Sequence, residues 1–293
     1  MQESLAKAGV LIEALPYIRS FFGKTFVIKY GGSAQKEEAL KQAFAQDVAL
    51  MNFIGVRPVV VHGGGPKISE IMGRMGKKAE FIHGHRVTDE DTMDIVEMVL
   101  GGLVNKEIVK LINHHGGRAV GLSGKDGNLI MARRKMVQKT PGSTDADDLL
   151  DIGLVGEVTS VNPEVLDTLD MADFIPVIAP VGVGPLGETF NINADDITAA
   201  IATSVRAEKL IYLTDVAGIL DSNGQVIPSL NRARAEALIA SGEISGGMIP
   251  KVTTALNAID AGVAKVHIVD GRMPHCLLLE IFTKEGIGTE ITA

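Results

Sequence analysis

One cysteine, Cys276, in 293 residues excludes an intramolecular disulfide and a thiolate metal cluster, and fits a reducing compartment. Tryptophan is absent and aromatics make up only 4% of the chain, which argues against an aromatic-cored β sandwich. No apolar run approaches the roughly 18 residues of a membrane span. The first 23 residues carry Glu3, Lys7, Glu13 and Arg19 where a signal peptide would have an unbroken apolar stretch. A soluble, cytoplasmic protein is expected. Net charge is -8 with pI ≈ 5.4, and the lysines and arginines are dispersed, so a basic face for nucleic acid is not supported. The seven histidines include no H-x-x-x-H or H-E-x-x-H pair, so permanent zinc is not expected, and no G-x-S-x-G elbow points to acyl transfer by serine.

What is present is glycine, 33 residues of it, in a chain that is 46% apolar. That combination suits many tight βα turns. Leu5, Ala8, Val10, Leu11, Leu15, Ile18 and Phe22 mark a helical apolar face, with Pro16 inside it as a kink, before the first strand. Strands over 25–30, 58–62 and 118–122 then alternate with helices over 37–54, 66–75 and 91–114, with a short segment near Phe81. Residues 129–137 and 153–161 read as β-hairpin arms joined by a loop over 141–148. The alternation resumes with helices over 163–171, 194–205, 232–241 and 249–261 and strands over 174–179, 209–213 and 265–269. Two last β segments, 277–282 and 289–292, end it. This pattern predicts an α/β fold: an open, mainly parallel sheet between helices, with β-hairpin insertions and an extra N-terminal helix. No free linker separates the halves, so two lobes should share one continuous sheet.

Six segments carry chemistry. Thr25-Phe-Val-Ile-Lys-Tyr-Gly-Gly-Ser33 is a strand ending in Lys29 and turning on two glycines, with the lysine before the glycines and not after them as in a P-loop. A cation beside bare backbone suits an anion such as phosphate. Val59-Val-Val-His-Gly-Gly-Gly-Pro66 runs a buried-type strand into three glycines at a helix start; alone, that is also what an empty tight turn looks like. Gly246-Gly-Met-Ile-Pro-Lys251 puts a lysine near a helix N-terminus, where the dipole disfavours it and a partner is needed. In Phe190-Asn-Ile-Asn-Ala-Asp-Asp196 the two aspartates suit a first helical turn. Asn191 or Asn193 is placed to fix a substrate group, and Asp195 to hold both lysines. Arg86, in Gly84-His-Arg-Val-Thr88, offers a planar fork for a carboxylate, and 214–220 follows a strand as a loop able to lie along a nucleotide.

Together these segments, with Gly121-Leu-Ser-Gly-Lys-Asp126 and Leu213-Thr-Asp-Val216, resemble the amino acid kinase family from Phe26 to Ile291, and most closely its branch acting on N-acetyl-L-glutamate. Each motif is weak alone; the ordered set is specific and shows no serious departure. The resemblance implies the amino acid kinase fold and phosphorylation of the substrate's γ-carboxylate by ATP, with Mg2+ arriving on the nucleotide, as a step of arginine biosynthesis. By motif, Lys29 and Lys251 would be the transition-state cations, with Asp195 orienting both. Gly64, Gly65, Arg86 and Asn191 would bind substrate, and Gly31, Gly32, Thr214, Asp215, Gly218, Leu220, Gly247 and Met248 would bind ATP. The family's organisation implies an oligomerisation helix over 1–24, a substrate lobe over 25–190 and an ATP lobe over 191–293. Relatives with the extra helix resemble arginine-inhibited hexamers, trimers of dimers. That implies arginine as inhibitor at Tyr17, Lys209, His267, Glu280, Gly286 and Gly288, and makes a PII-type signalling protein a candidate partner.

Within the same fold, glutamate 5-kinase, aspartokinase, carbamate kinase and uridylate kinase types are the alternatives. A non-catalytic amino-acid sensor is another, although it would be expected to have lost Lys29 or Lys251. A dinucleotide-dependent oxidoreductase would need G-x-G-x-x-G after the first strand, where this chain has Gly31-Gly-Ser-Ala34.

Overall fold

The computed structural model describes residues 2–139, 148–283 and 286–293, with the side chains of residues 2–8 and 33 excepted. Helix α1 (Gln2–Phe21) precedes β1 (Thr25–Tyr30), a 3₁₀ turn at Gly32–Gln35 and α2 (Glu38–Phe53). Then come β2 (Arg57–His62), α3 (Gly65–Arg74), β3 (Phe81–Ile82), β4 (His85–Arg86), α4 (Glu90–Glu97), α5 (Asn105–His114) and β5 (Ala119–Ser123). A long β arm follows, β6 (Ile130–Gln138) and β7 (Leu149–Val161), and then α6 (Glu164–Met171), β8 (Ile175–Ala179), β9 (Val181–Val183) and β10 (Thr189–Ile192). The remainder is α7 (Ala194–Ser204), β11 (Lys209–Thr214), β12 (Ser229–Asn231), α8 (Arg232–Ala240), α9 (Met248–Asp260), β13 (Lys265–Asp270), α10 (Cys276–Ile281) and β14 (Thr289–Thr292).

Eight strands form one sheet in the order β12-β14-β13-β11-β1-β2-β8-β5. All neighbours run parallel except β13 and β14. Successive side chains of a strand point to opposite faces, and the two cores divide accordingly. Phe26, Ile28, Tyr30, Val60, Ile211 and Leu213 join one apolar cluster with α2, α3, α4, α5 and α10. Val27, Val59, Val61, Leu210 and Tyr212 join the other with α7, α8 and α9. The single α/β sheet with helices on both faces is as the sequence predicts. No described helix is long and apolar enough to cross a membrane.

Two local expectations are corrected, and three short strands are added to those expected. Residues 277–282 are not a strand: Cys276–Ile281 is helical, because a short apolar run does not distinguish strand from buried helix and Leu277-Leu-Leu-Glu280 favours helix. Leu277 and Ile281, four apart, both bury against the first core. The single helix over 91–114 is interrupted by a π-helical stretch, Met98–Val104. The strands β9, β10 and β12 were not foreseen, since each is four residues or shorter. The expected hairpin arms are β6 and β7, which pair antiparallel and, with the first two of these, close a small barrel in the order β10-β7-β6-β9. Of the expected loop over 141–148, only Asp148 lies within the described residues.

Helix α1 does form, with Pro16 inside it. Its C-terminal part is fixed by aromatic contacts: Phe21 packs edge-on against Phe26 at 5.1 Å, and Tyr17 against Phe282 at 6.4 Å. Val10, Leu11, Ile12 and Leu15 remain exposed.

Gly153 joins the barrel to the segment bearing Arg86, through a bridge to Thr88 at a φ of +84°. A Cβ there would stand 2.1 Å from the Thr88 carbonyl oxygen. We expect Gly153→Ala to cost about 2–4 kcal/mol of stability, measured by urea denaturation; a loss below about 0.5 kcal/mol would show that this crossing relaxes freely.

Candidate active site

The carboxyl ends of β1 and β2 deliver residues to both faces of the sheet. Lys29 has the parity of Val27, so it points to the face covered by α7 and α9, beside Tyr212 of the neighbouring strand. There Asp195, in the first turn of α7, lies between two lysines. Its Oδ1 is 3.2 Å from Lys29 Nζ, and Lys251 Nζ donates to its Oδ2 at 2.7 Å. The partner that Lys251 needs near the N-terminus of α9 is therefore Asp195. Burial alone would push the Asp195 carboxyl up, but the charges of Lys29 and Lys251 outweigh it and hold it below the usual carboxylate range. The three side chains keep 15–22% exposure, enough to meet a ligand.

Asp195 is placed by its own helix. Asn193 caps α7, its Oδ1 accepting from the amides of Asp195 (2.8 Å) and Asp196 (3.4 Å). Of the two asparagines left open by the sequence, Asn193 is thus engaged in capping. Tyr212 Oη donates to the Asp195 carbonyl at 3.3 Å, and its ring lies 5.7 Å beneath Lys251 Nζ.

Beside this triad is a cleft of about 250 Å3 lined by Lys29, Asp195, Asn191, Arg86 and the Gly63-Gly-Gly65 loop. All four residues expected to bind substrate, Gly64, Gly65, Arg86 and Asn191, therefore face one space. The short β3–β4 hairpin covers it, turning at His83 and Gly84 with φ of 48° and 80°, as a type I′ turn requires. Arg86 is buried, donates to the Gly65 carbonyl and Ser69 Oγ at 2.9 Å each, and rests against Phe81. Its other fork faces Met72 Sδ at 3.2 Å, a weak acceptor. Among the described residues no carboxylate pairs with it, and burial lowers its affinity for its proton. An anion entering the cleft would compensate that charge. Asn191 Nδ2 donates to Thr88 Oγ1 at 3.2 Å. A larger cleft, about 570 Å3, lies at the opposite ends of the strands around Thr25, Arg57 and Phe174. It contains none of these groups, and ligands of open α/β sheets collect at the carboxyl ends.

Of the residues expected to bind ATP, Gly31 and Gly32 follow Lys29 closely in the chain. A Cβ on Gly31 would come within 3.0 Å of Lys29 Nζ, so glycine is what lets the ammonium lie over the turn. Gly32 opens the 3₁₀ turn with a φ of +63°. Thr214 ends β11 and its hydroxyl folds back onto Val216; Asp215 is exposed, Gly218 has a φ of +152°, and Leu220 bridges to Val226. Gly247 caps α9 and Met248 is its first residue. These positions thus follow the carboxyl ends of β1 and β11 and begin α9.

The six positions expected to form an arginine site also gather, at the far ends of β11 and β13. His267 Nδ1 is 2.6 Å from Glu280 Oε1, and its Nε2 is 2.9 Å from Lys209 Nζ. Glu280 Oε2 accepts from the amides of Ile287 (2.7 Å) and Gly288 (3.0 Å), and Gly286 lies against the same carboxylate. Lys209 Nζ sits 5.4 Å above the Phe21 ring, and Tyr17 completes the aromatic side of the cluster.

Sequence reasoning named His62 within a motif but gave it no role, and missed Asn105 altogether. His62 has the parity of Val60, so it points to the face opposite Lys29, where Asn105 meets it. The only signal was a histidine in an otherwise apolar strand. Burial pushes its imidazole down to about 4, so it is neutral in the folded protein. Because the folded value lies below the unfolded one, the stability held by neutral His62 is complete above pH about 6.5 and is lost as pH falls towards 4. We expect the wild type to lose about 3 kcal/mol more than His62→Asn over that interval, at about 1.4 kcal/mol per pH unit. Urea denaturation at pH 7 and pH 4.5 measures this; parallel losses would contradict it.

Residues 24–270 match the model of the amino acid kinase family. A protein of Syntrophobacter fumaroxidans named acetylglutamate kinase is 60% identical over 98% of this chain and 96% of its own length. One of the same name from Chromobacterium violaceum is 55% identical over 99% of each. Among solved structures, N-acetylglutamate synthase from Neisseria gonorrhoeae, complexed with coenzyme A and N-acetyl-glutamate, superposes with a TM-score of 0.82 at 27% identity. That match covers 98% of this chain and 63% of the synthase chain. Carbamate kinase from Giardia, at 17% identity and a TM-score of 0.64, shares the fold. With the family model covering both the Lys29 strand and the Lys251 helix, and relatives aligned along nearly the whole length, this chain belongs to the amino acid kinase family.

Proposed function

We propose that this chain transfers the γ-phosphoryl group of ATP to the γ-carboxylate of N-acetyl-L-glutamate, giving N-acetyl-γ-glutamyl phosphate and ADP. The observation that carries this reading is the Lys29–Asp195–Lys251 arrangement bordering a cleft that ends in Arg86, which no carboxylate among the described residues pairs. The names of the relatives support the choice of substrate. A carboxylate oxygen attacks the γ-phosphorus, the bond from that phosphorus to the β–γ bridging oxygen breaks, and ADP leaves with the electron pair. The acceptor is already an anion, so no general base is needed. What the protein must supply is alignment of two repelling anions and neutralisation of the charge between them.

In this reading Lys29 and Lys251 flank the transferring group, and Asp195 keeps both in place. Arg86 clamps the substrate α-carboxylate with Asn191 near it, while Gly32, Gly64 and Gly65 supply backbone donors. The positions from Gly31 to Met248 given above surround the nucleotide. Magnesium would be held by phosphate oxygens and water; both oxygens of Asp195 already face lysines. The substrate lobe is then 25–190 and the nucleotide lobe 191–293, joined by the shared sheet, with the site cytoplasmic.

The N-terminal helix, over 1–24, is read as the connector of a hexamer, a trimer of dimers, with arginine as inhibitor and a PII-type protein as candidate partner. Supporting this are the exposed Val10, Leu11, Ile12 and Leu15 on α1, and the gathering of Lys209, His267, Glu280, Gly286 and Gly288 beside Tyr17. The Neisseria synthase has also been solved with L-arginine.

A coupled ADP-release assay offering N-acetyl-L-glutamate, glutamate, aspartate and carbamate tests the substrate. Turnover should be confined to the first; turnover on none would favour a sensor. Lys29→Ala and Lys251→Ala should each lower kcat by about 100-fold or more while changing the KM for N-acetyl-L-glutamate little, because the cations act on charge that develops late. Losses confined to KM would contradict those roles. Removing residues 1–22 should abolish arginine inhibition and reduce the particle to a dimer by light scattering; undiminished inhibition would sink the regulatory reading.

A further inference from the structure

The glycine loop of the cleft is gripped from behind by two residues that have no place in the site assigned above. His62 closes β2 and is fully buried, as is Asn105, which follows the π-helical stretch. Asn105 Nδ2 lies 3.2 Å from His62 Nε2 and 2.8 Å from the Val177 carbonyl, while its Oδ1 accepts from Lys106 Nζ at 3.2 Å. An amide nitrogen only donates, so Nε2 is the acceptor of the ring and Nδ1 carries its proton. That proton goes to the Gly63 carbonyl, 3.0 Å away. Gln35 Nε2 donates to the same oxygen at 3.3 Å and to the Tyr30 carbonyl at 3.1 Å.

Pinning this carbonyl has a consequence one bond further on. In a trans peptide the C=O of Gly63 and the N–H of Gly64 point in opposite directions, so holding the first towards His62 aims the second away from it. The Gly64 N–H has no acceptor among the described residues, and Gly64 lines the cleft. The loop is also closed from below. A Cβ on Gly64 would stand 2.5 Å from Leu100 and 3.5 Å from Val104, both on the π-helical stretch. The wider turn of a π segment brings residues five apart onto one face, so Leu100 and Asn105 meet the loop and its supporting histidine together. Even the sheet makes room: a Cβ on Gly121 would overlap Asn105 Oδ1 at 1.8 Å.

We propose that His62 and Asn105 are positioning residues that aim the Gly64 amide at the phosphoryl group as it transfers. The proposal rests on the phosphotransfer reading above. Asparagine at position 62 can replace the Nδ1 donor and glutamine the Nε2 acceptor, so the two variants separate the bond that matters from mere packing. We expect His62→Gln and Asn105→Ala to lower kcat about 10–100-fold, with both KM values within about threefold. His62→Asn should stay within about fivefold of wild type. Equal losses in His62→Asn and His62→Gln, or effects confined to KM, overturn the proposal. Should the wild type turn over a different carboxylate of the panel, the substrate reading fails and the same comparison, made on that acceptor, decides this one. Calorimetric titration with MgADP, with and without aluminium fluoride, gives a readout free of the acceptor. The fluoride should tighten binding in the wild type and His62→Asn but about tenfold less in His62→Gln; equal tightening in all three, or none in the wild type, also overturns it.

Discussion

Two ammonium groups held side by side without a ligand would repel, and the fold around this site is organised to prevent that. Asp195 lies between Lys29 and Lys251 with one oxygen for each. It can do so only because the end of β1 and the start of α9 both lie near the start of α7, and because Asn193 sets the first turn of that helix. The position suits the carboxylate for a second reason, since the N-terminus of a helix favours negative charge. The same dipole argument runs against Lys251 near the start of α9, and the ion pair with Asp195 offsets it. Removing Asp195 would leave two partly buried cations unpaired, a more costly change than losing an exposed salt bridge.

Charge then decides what the cleft accepts. Lys29, Lys251 and Asp195 together carry one net positive charge, and Arg86 adds another that no described carboxylate answers. A site with that surplus is suited to two anions at once, a phosphoryl group near the lysines and a carboxylate near the arginine. The pleat of the central strands keeps electrostatic and supporting parts apart. Lys29 faces α7 and α9, while His62, at the end of the next strand, faces the opposite helices and holds the Gly63 carbonyl of the glycine loop that lines the cleft.

Much of this was legible in the sequence, for reasons specific to each element. Strand β1 matched over 25–30 because its apolar run has a clear start and is stopped by two glycines. The need of Lys251 for a partner followed from its place near a helix N-terminus, and Asp195 fills it. The four residues expected around the substrate share one cleft; their roles there are part of the proposal. What stayed hidden depends on tertiary context. Whether 277–282 is strand or helix is decided by burial against α2 and by Glu280 reaching His267, neither of which is local. The barrel of β6, β7, β9 and β10 arises from pairing between short segments. Asn105 gave no signal because an asparagine in a helix is ordinary until a buried histidine is placed opposite it.

The central chemical claim concerns the product, an acyl phosphate formed between two lysine cations. Hydroxylamine converts an acyl phosphate to a hydroxamate, which is measured by its colour with iron(III). With ATP, Mg2+ and N-acetyl-L-glutamate, the wild type should yield one hydroxamate for each ADP released, and Lys29→Ala should lose both in proportion. ADP release without hydroxamate, or an unimpaired hydroxamate yield from Lys29→Ala, would contradict the account.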